Sequence, residues 1–124
     1  MVFELHVHLV FVTKRRRHVL DADALHKLKI YLTKVCEDFD TRLAEFNGED
    51  DHVHLLVGYR PTVQLARLVN SLKGASSRLL QRDRPDLAAR LQRSALWSPS
   101  YFAASCGGAP LEMLRAYIEH QRGA

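Results

Sequence analysis

Over residues 3–12 the chain alternates apolar and polar positions. Phe3, Leu5, Val7, Leu9 and Phe11 fall on one side, Glu4, His6 and His8 on the other, the period of a half-buried strand. The period then changes. Leu25, Leu28, Leu32, Val35 and Phe39 step by three and four behind Asp21, which predicts a helix capped by that aspartate. A second strand is expected over residues 42–46, and Asn47-Gly48 reads as the turn of a hairpin. The third strand is His52 to Tyr59, with Val53, Leu55 and Val57 facing opposite to the histidines. Pro61-Thr62 opens a second helix with Leu65, Leu68, Val69 and Leu72 inward, interrupted at Gly74 and resuming over residues 76–82. A polar, Arg-rich connection over residues 81–95 leads to a fourth strand near 101–105, which Gly107-Gly108 breaks. Pro110 is suited to the first position of a last helix, with Glu112 in its first turn.

Strand, helix, strand, strand, helix, strand, helix is the order of an α+β, ferredoxin-like (RRM-like) antiparallel sheet. Its helices lie on one face, and an extra helix is added at the C-terminal end. With 124 residues, no internal repeat and no low-complexity linker, residues 1–124 are expected to form one domain able to bury its own core. No apolar run approaches the roughly 20 residues of a bilayer span, so a cytoplasmic protein without membrane partners is expected. Cys36 and Cys106 are distant and lack metal-ligand spacing, which favours reduced thiols.

Charge changes the picture more through its placement than its total of +4. Half of the fourteen acids crowd into residues 37–51, while cations gather at Lys14, Arg15, Arg16 and Arg17 and again at Lys73, Arg78, Arg82, Arg84, Arg90 and Arg93. Separated charge suggests a basic footprint for a nucleic-acid backbone, although a solvated surface gives the same pattern. Lys14–Arg17 and the group Lys73, Ser76, Ser77 and Arg78, at the expected helix interruption, are the candidate phosphate contacts. Trp97 suits core or stacking platform equally. Tyr31, Tyr59 and Tyr101 suit packing or base stacking.

The candidate chemistry lies in His52-Val53-His54. Alternation along a strand sends both imidazoles the same way, about 7 Å apart along the chain. Such a pair can hold a cation or merely face water. His6-Val7-His8 is a second pair, better read as a polar strand face, though it could complete a zinc site if the first and third strands are neighbours. On the last helix Tyr117 and Gln121 flank the apolar stripe of Leu111, Leu114 and Ile118, four residues apart and so on one side. His120 is expected to face solvent.

Five stretches in order, "HLVFVTKRRRHVL", "DDHVHLLV", "LKGASSRLL", "LWSPSYF" and "GGAPLEMLRAYIEHQ", make nearly the whole chain resemble the single-tyrosine HUH transposases of the insertion-sequence 200/605 type. The resemblance implies cleavage and rejoining of single-stranded DNA during transposition, with recognition of DNA hairpins by a homodimer. It implies that His52, His54 and Gln121 bind a divalent cation, magnesium or manganese. It implies that Tyr117 attacks the scissile phosphate to give a 5′-phosphotyrosine, which stores the phosphodiester's energy for rejoining. Two related readings are a domesticated nuclease acting on palindromic elements and a hairpin-binding protein without chemistry.

Overall fold

A computed structural model describes residues 5–105 and 117–120. Four strands, β1 (Leu5–Val12), β2 (Arg42–Gly48), β3 (His52–Tyr59) and β4 (Phe102–Ser105), form an antiparallel sheet in the order β2-β3-β1-β4. Helices α1 (Ala22–Asp38) and α2 (Leu65–Asp83) connect them in the ferredoxin-like manner.

The period-two pattern of β1 and β3 explains the layering. Val7 pairs with Val57, Leu9 with Leu55 and Phe11 with Val53. These six side chains share one face and are buried against Leu28, Leu32, Leu68, Leu72 and Leu80 of the two helices. The opposite face carries His6, His8, Val10 and Val12 from β1 and His52 and His54 from β3. Asp21 caps α1 as expected, accepting a hydrogen bond from Ala24 N at 2.8 Å.

Several boundaries differ from the expectations. Asn47 and Gly48 lie within β2, paired with His54 and Val53, and the turn is residues 49–51, closed by Glu49 N donating to His52 O at 2.9 Å. Gly48 serves close packing instead, because a Cβ there would lie 2.6 Å from Leu25 Cδ2 of α1. Pro61 and Thr62 sit in a turn before α2, which begins at Leu65. Gly74 does not interrupt α2. One glycine costs about 1 kcal/mol relative to alanine, and the burial of Leu68, Val69, Leu72 and Leu80 along the same helix outweighs it. The connection expected over residues 81–95 holds the end of α2 and a further helix, α3 (Pro85–Arg90), with Pro85 in its first turn. Leu87 and Leu91 tie that segment to the core.

Trp97 is a core residue, 3% exposed, with its ring 5.7 Å from that of Phe11. Its indole Nε1–H donates to Ser76 Oγ at 2.9 Å, and Ser76 Oγ lies 2.6 Å from Leu72 O, to which it donates. Ser76 is fully buried and therefore unavailable to a phosphate in this conformation. Ser76→Ala is expected to leave the indole donor unpaired and to cost about 1–3 kcal/mol, read as a lowered thermal midpoint.

Candidate functional site

The histidine face is built by pairing register. Val10 lies opposite both His54 on β3 and Phe102 on β4, so the three side chains form one row across the sheet. His52 occupies the next row, opposite Val12. The two imidazoles lean together, with ring centroids 4.9 Å apart, nearer than their spacing along the strand suggested. His8 joins them diagonally, 6.1 Å from His54. His6 shares the face.

His52 is the more strongly held. It is 5% exposed, and its Nδ1 lies 2.7 Å from Asp51 Oδ1. A carboxylate at Nδ1 favours the tautomer with its proton there and leaves Nε2 with a lone pair. That Nε2 lies 3.5 Å from Glu49 Oε2. Burial would raise the Asp51 pKa, but the hydrogen bonds from Arg16 and His52 outweigh it and hold the carboxyl below its ordinary value. Burial, then the neighbouring His52 and His8, depress the His54 pKa, which favours the neutral ring that can bind a metal.

The donor set suits a divalent cation. Glu49, Asp51 and His52 place ligand atoms within 4.8 Å of one another, and His54 stands beside His52. Two imidazoles with a carboxylate favour manganese over magnesium by softness, and the set offers no thiolate. Glu49 was not a candidate from sequence, since the turn that brings it back over His52 was expected two residues earlier. His18, Asp50 and Asp51 form a second group, mostly exposed, with His18 Nδ1 2.9 Å from Asp50 Oδ2.

Residues 117–120 are helical. The Tyr117 ring packs on Phe102 with centroids 5.7 Å apart, so it stands over the row that contains His54. Two strand spacings separate that position from β3, about 10 Å. The phenol hydroxyl is 3.1 Å from Ser100 Oγ and makes its recorded hydrogen bond there, not to an imidazole. Burial pushes its pKa above the ordinary value, opposed by the serine hydroxyl. His120 is exposed, as expected. Gln121, with Leu111 and Leu114 of the expected stripe, lies outside the described residues.

The basic candidates divide by environment. Arg15 is exposed and Lys14 half-buried in a 3-10 turn over Lys14–Arg16. Arg16 turns inward to Asp51, Nε to Oδ2 at 2.7 Å, and Arg17 donates to the Arg90 carbonyl. Lys73 Nζ donates to three carbonyls, Ser98 O at 2.8 Å and Pro99 O and Ser100 O at 3.1 Å. It thereby braces the loop that meets Tyr117, and burial lowers its pKa. Ser77 Oγ accepts from Leu96 N at 3.0 Å. Arg78 is exposed and has no recorded partner among the described residues. With Lys73, Gly74, Ser77, Arg93 and Trp97 it lines a groove of about 360 Å³.

Residues 1–121 match the family model described as "Transposase IS200 like". The chain is 31% identical over 120 residues to the ISDra2 transposase TnpA of Deinococcus radiodurans, covering 97% of this chain and 86% of that protein. It is 28% identical over 114 residues to the transposase for insertion sequence element IS200 of Salmonella typhimurium, covering 92% and 74%. The crystal structure of a candidate transposase from Deinococcus radiodurans R1 superposes with a TM-score of 0.87 at 31% identity, over 100% of this chain and 95% of the other. A REP-associated tyrosine transposase bound to a REP hairpin shares the fold at a TM-score of 0.60 and 11% identity, over 93% and 62%. Among the described residues no helix is long and apolar enough to cross a membrane. A family match spanning nearly every residue, on a sheet that gathers the histidines of β1 and β3 on the face where Tyr117 packs, makes this chain a member of the IS200-like transposase family.

Proposed function

We propose that this transposase cleaves and rejoins single-stranded DNA through a covalent Tyr117–DNA intermediate, at a divalent metal held by His52 and His54 and, from beyond the described residues, Gln121. The observation that supports it best is the shared sheet face, on which Tyr117 stacks on Phe102 in the row of His54. Glu49 adds a carboxylate beside His52 Nε2.

In this reading the Tyr117 hydroxyl oxygen attacks the scissile phosphorus. The phenol gives up its proton as the O–P bond forms, and the 3′-oxygen leaves with the bonding pair and takes up one proton, giving a 5′-phosphotyrosine and a free 3′-hydroxyl with no net proton change. Attack by a 3′-hydroxyl reverses the step and restores the phenol, so no external energy source is consumed. The cation, when bound, would offset charge on the phosphate oxygens and orient them for in-line displacement. The phenol is a poor nucleophile while protonated, and its burial reinforces that state. It meets the imidazoles by a shift of its helix across the sheet or by the pairing of two copies of the chain.

The partner in this reading is single-stranded DNA with hairpin ends, bound by a homodimer. The hairpin bound to the REP-associated relative supports that partner by analogy of fold alone. Arg15 and Arg78, exposed and without recorded partners among the described residues, are the strongest phosphate contacts. Lys73 and Ser76 contribute through the folding of α2 and its neighbouring loop.

A labelled single-stranded hairpin from the gene's flanks, incubated with Mn²⁺, should yield a denaturation-resistant protein–DNA adduct. Tyr117→Phe should abolish it, and a chelator should prevent it. The double variant His52→Ala/His54→Ala should lose the adduct while keeping hairpin affinity. Adduct surviving in Tyr117→Phe would assign the nucleophile elsewhere, and adduct surviving in the double variant would move the metal to other ligands. Arg15→Ala and Arg78→Ala should each weaken hairpin binding and reduce the salt slope by roughly one, measured by titration at several salt concentrations. An unchanged slope in both would remove them from the DNA interface.

A further inference from the structure

Arg16 was expected to touch phosphate, yet its side chain is spent inside the protein. Arg15 and Arg16 both hold left-handed backbone angles, φ 57° and 55°, a conformation costly for residues with a Cβ. The turn is held in that shape from several sides. Thr13 N donates to Asp51 O at 2.9 Å, Lys14 N to Leu96 O at 2.8 Å and Leu20 N to Asp50 O at 2.9 Å. The Thr13 hydroxyl lies 2.8 Å from Arg17 O and 3.1 Å from Asp51 O. The outcome is a guanidinium only 20% exposed, facing two carboxylates from different parts of the chain.

Those carboxylates have distinct places in the site. Asp51 takes Arg16 Nε on Oδ2 and the His52 ring on Oδ1, each at 2.7 Å, so both its oxygens are used. Glu119, two residues beyond Tyr117, receives Arg16 Nη1 at 3.3 Å. We infer that Arg16 is a positioning residue that joins the tyrosine helix to the metal-binding histidine through Glu119, Arg16, Asp51 and His52. This rests on the metal and nucleophile roles proposed above and adds what anchors the tyrosine helix in its resting place, with Tyr117 on Ser100 and away from the imidazoles. A planar fork with separate donors can serve two carboxylates at once, whereas a lysine is a single point charge on a flexible stem.

The test separates this role from a DNA contact. Arg16→Lys keeps the charge that a phosphate contact needs but loses the fork. Mn²⁺ affinity of the full chain without DNA, by calorimetry, should fall roughly tenfold, as loss of support for a ligating histidine does. Hairpin affinity should stay within about twofold of the parent, since the charge survives. Glu119→Gln alters an exposed side chain and should fold normally. It should leave Mn²⁺ affinity intact and, by loosening the resting contact that the helix must leave, speed adduct formation at saturating DNA about threefold to fivefold, the range open to an exposed ion pair. Undiminished Mn²⁺ affinity in Arg16→Lys, or an adduct rate in Glu119→Gln equal to or below the parent's, would overturn the inference. A parent protein that binds Mn²⁺ but forms no adduct would instead overturn the proposed chemistry, while the Mn²⁺ comparison would still decide the link from Arg16 to His52.

Discussion

The pairing of β1 with β3 is the constraint on which the site depends. A register with Val10 opposite His54 sends Val7, Leu9, Phe11, Val53, Leu55 and Val57 into the helical layer and every histidine of the two strands to the other face. Because side chains alternate with period two, a slip by one residue would bury the imidazoles among leucines and expose the core. The hydrophobic effect therefore fixes the position of the histidines as firmly as it fixes the fold. Buried Leu28, Leu32, Leu68 and Leu72 on the helical side contribute most of that selection, each worth about 1.5–3 kcal/mol by burial.

On the histidine side the supporting contacts are polar. Asp51 is 4% exposed and survives there as a carboxylate because Arg16 and His52 both bond to it. Removing either partner would leave a buried charge incompletely paired, the costly case for an ion pair. Lys73 acts similarly at the other end of the face, spending its protons on three consecutive carbonyls of the loop that meets the Tyr117 hydroxyl. Two cations that a charge count assigns to DNA are thus engaged within the protein. Lys14, Arg15 and Arg78 are the candidates whose side chains make no such bond within the described residues.

Much of the fold was legible because it rests on periodicity. The first strand, described from Leu5 to Val12, the Asp21 cap and the facing of His52 and His54 follow from spacing alone. Errors arose where a local signal competed with packing. Asn47-Gly48 resembles a turn, yet the glycine is there to admit Leu25. Gly74 resembles a break, yet the buried leucines on either side carry α2 through it. Helix α3 went unseen because its surroundings are rich in arginine, and only Leu87, Ala88 and Leu91 mark its inward side. The shared face of the histidines was legible, but the contacts that Glu49, Asp51 and Arg16 make there were not, since they come from a turn and two left-handed residues that no hydrophobic pattern encodes.

The central claim is that the Tyr117 phenol comes to the ion held by His52 and His54 when DNA is bound. Paramagnetic broadening by Mn²⁺ reads that distance directly in protein whose tyrosine rings alone carry an NMR-visible label, with Tyr117→Phe identifying the resonance. With hairpin DNA and Mn²⁺ together, the Tyr117 signal should broaden far more than those of Tyr31 and Tyr59. A Tyr117 signal that stays as sharp as those of Tyr31 and Tyr59 in that complex, with Mn²⁺ binding verified by calorimetry, would contradict that mechanism.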